Sequence, residues 1–156
     1  MESDAKGVIS AGSTQTAEAG VEILRNGGNA VDAAVAAAFA VSAGEPTVTS
    51  LGGAGMMMVY SANSETLHVC DFFANAPLMK PSEQPQLDFF GIDLDYGPTQ
   101  QTFFVGRGSA AVPGVIPGLG MVHKTFGSLP FESLLEPAIR QLRNGVSLGP
   151  RQRAMG

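Results

Sequence analysis

The chain of 156 residues is poor in charge, and basic residues are its scarcest charged type. Charged residues make up 15% of it, well below the share of about 25% that is usual for soluble domains. Its 9 Lys and Arg form no cluster and are outnumbered by 14 Asp and Glu, which gives a net charge of −5. Nucleic-acid binding requires clustered cations that contact phosphates, so the sequence excludes that class of protein.

Ligands for a metal ion are also scarce. Cys70 is the single cysteine, so the chain cannot form an internal disulfide. Together with two histidines it falls short of the full nitrogen and sulfur ligand set of a structural zinc site. Asp88, Asp93 and Asp95 lack the central glycine and terminal glutamate of a calcium-binding EF-hand loop. We interpret these carboxylates as a solvated acidic turn and expect no metal.

No apolar run is long enough to cross a bilayer. The longest, 30–43, contains Asp32 and is shorter than the roughly 20 residues that a spanning helix needs. The first residues are acidic where a signal peptide is basic and then apolar. We therefore expect a cytoplasmic protein without membrane contact. A start further upstream would hide a signal and place the protein in the periplasm or outside the cell.

Hydrophobic periodicity and the positions of glycine predict the order of the elements. They are a short buried strand over 7–12, helices over about 15–26 and 30–43, a hairpin of strands over 56–60 and 66–72, a loop over 75–101, a short strand over 102–105, and helices over about 114–125 and 131–144. Ser13 or Thr14 can cap the first helix, Asn29 can cap the second, and Gly27 and Gly28 end the first. These signals alone indicate an α/β or α+β fold in one domain.

Few residues have catalytic potential, and together they do not form a complete set of catalytic residues. The sequence has no Gly-x-Ser-x-Gly element, so a serine hydrolase is poorly supported. We interpret His68 and His123 as structural, and Cys70 as a small buried residue. Asp32 lies on a helix that is otherwise almost entirely Ala and Val. A buried carboxylate needs donors, so we predict that Asp32 accepts hydrogen bonds from a neighbouring turn.

Four segments carry a recognisable pattern in a fixed order. They are 16–37 with Gly-Gly-Asn-Ala-Val-Asp-Ala-Ala, 45–60 with Leu-Gly-Gly-Ala-Gly, 111–118 with Val-Pro-Gly-Val-Ile-Pro-Gly, and 126–140 with Phe-Gly-Ser-Leu-Pro-Phe-Glu. In this order and spacing they resemble the γ-glutamyltransferases (γ-glutamyltranspeptidases). The resemblance extends from about residue 7 to the end of the chain.

The resemblance implies an α+β fold, the αββα sandwich of the N-terminal-nucleophile hydrolases. Residues 1–156 are then a single partial domain, the N-terminal portion of the large subunit. Such proteins are made as a precursor that cuts itself into a large and a small subunit. The new N-terminal threonine of the small subunit attacks a γ-glutamyl amide, and water or an amine then takes the acyl group. The threonine's own amine serves as the base, so no cofactor is expected.

The same resemblance places the catalytic threonine outside this chain, which has no Thr-Thr-His-like processing site. The chain alone is therefore expected to be inactive. The expected partners are the remainder of the same precursor, including the small subunit, and a γ-glutamyl or other acyl-amide substrate. An apolar surface that the remainder covers would account for the low charge content and the positive mean hydropathy.

Phe73 stands where many relatives have an arginine that binds the α-carboxylate of the substrate. The matching segment 71–77 has the sequence Asp-Phe-Phe-Ala-Asn-Ala-Pro, where those relatives have an Asp-Phe-Arg-Glu-type sequence. A phenyl ring cannot replace a bidentate arginine–carboxylate pair, and losing such a contact costs about 2–4 kcal/mol of binding free energy. Phe73 is then either a packing residue without substrate contact or the wall of a pocket for a less polar acyl group.

Three functions remain open at this point. The first is hydrolysis or transfer of a γ-glutamyl or related acyl group. The second is an amidase or acylase on the same scaffold, which Phe73 favours. The third is a non-catalytic fragment or binding protein that has kept the fold. Ala54, in place of a family glycine, is a milder departure.

Overall fold

The computed structural model describes residues 7–77 and 88–154. In chain order the elements are α1 (Thr14–Arg25), α2 (Ala30–Gly44), β1 (Gly55–Ser61), β2 (Thr66–Phe72), β3 (Phe90–Asp95), β4 (Gln100–Val105), a 3₁₀ turn (Arg107–Ser109), α3 (Val115–Phe126), α4 (Phe131–Asn144) and α5 (Pro150–Arg153). β1 pairs antiparallel with β2, and β3 pairs antiparallel with β4. Helices with separate antiparallel sheets make an α+β fold, as predicted.

The first two helices begin and end where the local signals place them. The Ser13 hydroxyl accepts a hydrogen bond from the amide of Thr16 at 3.2 Å and so caps α1. The Asn29 side chain caps α2 in the same way, accepting from the first amides of that helix. Gly27 follows α1 with a φ of +92°, a left-handed conformation that glycine adopts without strain.

The later helices also agree with the periodicity. α3 and α4 lie within one residue of their predicted bounds, and Gly145 follows α4 with a φ of +75°. The short helix α5 was not predicted. Within the two described ranges, no helix combines the length and the apolar content that a membrane crossing requires.

α2 is the central helix and packs against α1, α3 and α4. Its small side chains allow close approach, and Ala33, Ala36 and Ala40 are almost completely buried. The largest apolar side chains of the core come from all four helices: Ile23, Val35, Leu119, Val122 and Leu134. The inner face of the β1–β2 hairpin packs on this core through Met57, Val59, Cys70 and Phe72. Cys70 is half-buried, so it is less buried than predicted.

The outer face of the β1–β2 hairpin is apolar and exposed. Its apolar side chains are Met56, Met58, Tyr60, Leu67 and Val69, and the exposed Asp71 lies at its edge, opposite Met56. Met58 lies opposite Val69 and Tyr60 lies opposite Leu67, so these side chains form one continuous patch. An exposed apolar patch of this kind is typical of an interaction surface.

Phe72, the last residue of β2, is seated against three glycines. A Cβ atom added to Gly55 would lie 2.7 Å from the Phe72 ring, and one added to Gly118 would lie 2.1 Å from it. A Cβ atom at Gly114 would lie 2.0 Å from the Phe72 carbonyl oxygen. Real Cβ atoms do not approach other atoms so closely, so a larger residue at any of the three positions would force Phe72 or its backbone to shift.

The predicted strand over 7–12 was wrong. In the described part of the chain this segment forms no strand: Val8 is almost fully exposed, and Ile9 packs its side chain against Gly20 of α1. A strand needs a neighbour for its backbone hydrogen bonds, and none of the described strands pairs with this segment.

The predicted loop over 75–101 was wrong in its second half. Residues 78–87 lie outside the described residues, but β3 occupies Phe90–Asp95, and β4 starts at Gln100, two residues before the predicted strand. The frequent Pro and Gly residues favoured a loop, although the apolar residues Phe90, Ile92 and Leu94 alternate with their neighbours as in a strand. Gly97, with a φ of +83°, lies in the turn that joins the two strands.

Two alanine substitutions in α3 test the packing of Phe72 against Gly118. Gly118→Ala is expected to lower the free energy of unfolding by about 1–3 kcal/mol, because the new methyl group overpacks against Phe72. Gly120→Ala is the matched control in the same helix, since nothing lies within 4 Å of a Cβ atom there. It should be neutral or raise stability by up to about 1 kcal/mol. Chemical or thermal unfolding measures the stability of both variants. Equal changes in the free energy of unfolding would contradict the close packing of Phe72 against Gly118.

Candidate functional site

Three loops meet at one junction beside the β1–β2 hairpin. The carbonyl oxygen of Gly53 accepts hydrogen bonds from the amides of Gly114 and Val115, at 3.1 and 3.3 Å. Asn75 and Val112 exchange two backbone hydrogen bonds, of 3.2 and 2.8 Å. The glycine-rich turn before β1, the segment after β2 and the loop before α3 are thereby fixed to one another.

Phe73 projects from this junction on a backbone that is held on both sides. Its amide donates to the carboxylate of Asp71 at 2.9 Å, and its carbonyl oxygen accepts from the Asn75 side chain at 3.3 Å. The neighbouring residue Phe72 is locked by its glycines, yet the Phe73 side chain is 59% exposed. A rigid backbone that carries an exposed aromatic ring is suited to contact something beyond the described residues.

An open cleft adjoins the junction through Gly53. It has a volume of about 440 Å³ and is lined by Pro46, Thr47, Val48, Thr49, Ser50, Gly53 and Ala54. None of these residues is charged, so the cleft offers hydroxyl and backbone groups to a ligand and no ion pair. Ala54 is part of this lining.

The Asp32 carboxylate, by contrast, is fully buried at the other end of α3. It accepts hydrogen bonds from the Ser128 hydroxyl at 2.5 Å, from the Ser128 amide at 3.0 Å, and from the Asn29 amide at 2.9 Å. The prediction that Asp32 binds donors of a neighbouring turn is therefore confirmed. Burial alone would raise the pKa of Asp32, but the hydrogen bonds from Ser128 and Asn29, with one from Leu129, hold that pKa below its ordinary value.

Asp32, Ser128 and His123 lie close together but are not arranged as a catalytic triad. The Ser128 hydroxyl donates to the carboxylate, whereas a nucleophilic serine donates to an imidazole base. His123 Nε2 lies 2.8 Å from the Leu129 carbonyl oxygen and 3.8 Å from Asp32 Oδ1. His68 packs its ring against Phe126. Both histidines contact structural partners, as predicted.

The structure separates the two residues that the sequence singled out. Phe73 lies beside the start of α3, whereas Asp32 binds the turn that follows its end, so the length of α3, about 18 Å, lies between them. Sequence reasoning did not identify Ser128 or Gly114. The available signals were the Gly127–Ser128 turn between two helices and the glycine within the Val-Pro-Gly sequence before α3.

Residues 16–155 match the sequence model of the family described as gamma-glutamyltranspeptidase. The chain is 35% identical to the glutathione hydrolase proenzyme of Pseudomonas aeruginosa over 94% of its own length and 25% of that protein. It is 32% identical to the acylase ACY 1 proenzyme of a Pseudomonas species, over 95% of its length and 26% of that protein.

The fold also matches solved structures of this family. The γ-glutamyltranspeptidase of Pseudomonas nitroreducens superposes with a TM-score of 0.73 and 29% identity, over 95% of this chain and 42% of that chain. The predicted N-terminal-nucleophile hydrolase fold is confirmed by this match. The chain spans about a quarter of the length of the curated relatives it matches.

Replacing Asp32 by asparagine tests the buried network. At pH 7, Asp32→Asn should lower the free energy of unfolding by about 2–4 kcal/mol, because charge-assisted hydrogen bonds are lost in a buried site. A carboxyl group with a lowered pKa in the folded state stabilises the fold above its ordinary pKa, about 4, and loses that effect as the pH falls. The difference between parent and variant should therefore narrow below about pH 4.

The exposed carboxylate of Asp93, which accepts a hydrogen bond from Thr102, provides the control. Asp93→Asn should cost no more than about 1 kcal/mol at either pH. Urea unfolding at pH 7 and at acid pH measures both variants. An Asp32→Asn effect as small as that of Asp93→Asn would show that the buried network does not stabilise the fold.

Proposed function

Because this chain belongs to the γ-glutamyltranspeptidase family, we propose that it is the N-terminal portion of the large subunit of a self-processing enzyme. That enzyme hydrolyses or transfers a γ-glutamyl or closely related acyl group from an amide. The observation that carries the proposal is the match of nearly the whole chain, in sequence and in fold, to proteins of this activity.

Residues 1–156 are a partial domain in this proposal, and the remainder of the same precursor is its partner. The exposed apolar face of the β1–β2 hairpin supports this, because a patch that includes Met58, Tyr60 and Val69 is costly to leave in water. The remainder also brings the small subunit with the nucleophilic threonine.

The reaction proceeds through an acyl-enzyme. The hydroxyl oxygen of the threonine forms a bond to the carbonyl carbon of the substrate, and the threonine's amine takes the hydroxyl proton. The bond from that carbon to the amide nitrogen breaks, and the nitrogen leaves with the proton. Water or an amine then attacks the same carbon and gives a proton to the threonine's amine. The bond from that carbon to the threonine oxygen breaks, the oxygen takes the proton back, and the acyl group leaves as an acid or a new amide. The residues of this chain supply walls for the substrate, and no cofactor takes part.

Phe73 is the residue of this chain that we assign to the substrate site. Its exposed ring on a fixed backbone supports contact with the acyl group, and the uncharged cleft beside Gly53 supports a ligand without an ion pair there. These two observations favour a second candidate function, an acylase or amidase for a less polar acyl group. A relative named as an acylase proenzyme also supports this second candidate.

The intact mass of the full-length polypeptide, with N-terminal sequencing of each band, tests self-processing. Two chains are expected, one that contains residues 1–156 and one that begins with threonine. A single uncut chain would contradict the proposal that the protein is a self-processing enzyme. It would favour a non-catalytic binding protein that has kept the fold.

Arginine at position 73 tests the substrate site. In the full-length protein, Phe73→Arg should raise kcat/KM for a γ-glutamyl anilide about tenfold or more relative to an acyl anilide without an α-carboxylate, because an arginine–carboxylate pair is restored. Ala76→Arg is the control, since it adds the same charge at an exposed position nearby. If Phe73→Arg leaves the ratio of the two kcat/KM values unchanged, or if Ala76→Arg raises that ratio equally, Phe73 does not line the substrate pocket.

A further inference from the structure

The β3–β4 hairpin has two chemically different faces. Residues paired across the strands share a face, so the register divides the hairpin without ambiguity. The apolar face consists of Phe90, Ile92, Leu94, Phe103 and Val105, with Gln101 near the turn. The polar face consists of Gly91, Asp93, Asp95, Gln100 and Thr102, with Phe104 near the base.

The polar face satisfies its own groups. Asp93 accepts a hydrogen bond from Thr102 at 2.6 Å, and Asp95 accepts one from the amide of Gly97 at 2.8 Å. The Phe104 ring stacks on Phe89 with 5.0 Å between centroids and nearly parallel planes. Phe104 is 57% exposed, but Phe89 covers one side of its ring, so this face presents one aromatic residue among paired polar groups.

The apolar face has no such internal compensation. Phe90 is 54% exposed, and Ile92, Leu94 and Phe103 are each 40–43% exposed. Aromatic and branched side chains of this size, half-exposed, leave roughly 300–500 Å² of apolar surface in water. Hydrogen bonds close the base of the hairpin, because Asp88 accepts from the amides of Arg107 and Gly108 and so ties the start of β3 to the end of β4.

We propose that the apolar face of the β3–β4 hairpin docks against the part of the same polypeptide that lies beyond this chain, while its polar face stays in water. The inference rests on the proposed function in one respect, that the chain belongs to a longer precursor. The curated relatives continue for about three times the length matched here, so ample chain exists to cover the face.

The area of the apolar face favours that occupant over a second copy of the chain. A stable interface between separate molecules buries about 800 Å² on each partner, well above what this face offers. Docking within one polypeptide needs a much smaller buried area, since the effective concentration of a tethered segment is in the millimolar range.

Cysteine labelling of the full-length protein distinguishes the two faces of β4. Phe103→Cys places a thiol on the apolar face and Gln100→Cys places one on the polar face of the same strand. Under native conditions the thiol of Phe103→Cys should react with a maleimide at least tenfold more slowly than that of Gln100→Cys, and the two rates should be equal in denaturant. The parent protein gives the background from Cys70, and Ile92→Cys replaces Phe103→Cys if that variant does not fold.

Two results would overturn the proposal. Equal native labelling rates would show that the apolar face is in water, and protection that disappears on dilution would assign the face to a second copy. The labelling does not depend on activity. A protein that is protected at position 103 but is never cleaved would refute the proposed function and leave the docking intact.

Discussion

The buried carboxylate of Asp32 connects three helices through one set of hydrogen bonds. It binds Asn29 at the start of α2 and Ser128 in the turn between α3 and α4. The Asn29 side chain adds a hydrogen bond of 2.7 Å to the last carbonyl of α3, that of Phe126. Since α3 is one rigid helix, fixing its end also fixes its beginning, where Gly114 binds the glycine-rich turn. The geometry around Phe73 thus depends on a contact about 18 Å away.

Local signals predicted most of the helical layer because they act within a few residues. Ser13 and Asn29 cap their helices through side chains that reach the next turn, and the periodicity placed α3 and α4 to within one residue. The same reasoning indicated that Asp32 needs donors but not which ones, because Ser128 lies 96 residues further along the chain. The strand over 7–12 failed for a related reason, since pairing depends on a neighbour that no local pattern reveals.

The candidate site was less accessible to sequence reasoning than the fold. Phe73 was singled out by a resemblance and not by periodicity, which treats it as one more apolar residue after a strand. Its rigid backbone depends on the fit of Phe72 against Gly114 and Gly118, a close approach between segments over 40 residues apart. The β3–β4 hairpin shows the opposite case. Its alternation was present in the sequence, but the surrounding Pro and Gly concealed it.

The separation of Asp32 from Ser128 also has a consequence for synthesis on the ribosome. At roughly 5–20 residues per second, α2 emerges about 5–20 s before Ser128. During that interval α2, which is apolar on nearly every side, has α1 as its only helical neighbour among the described elements. Until α3 and α4 emerge, α1 is therefore the helix that can cover the apolar surface of α2.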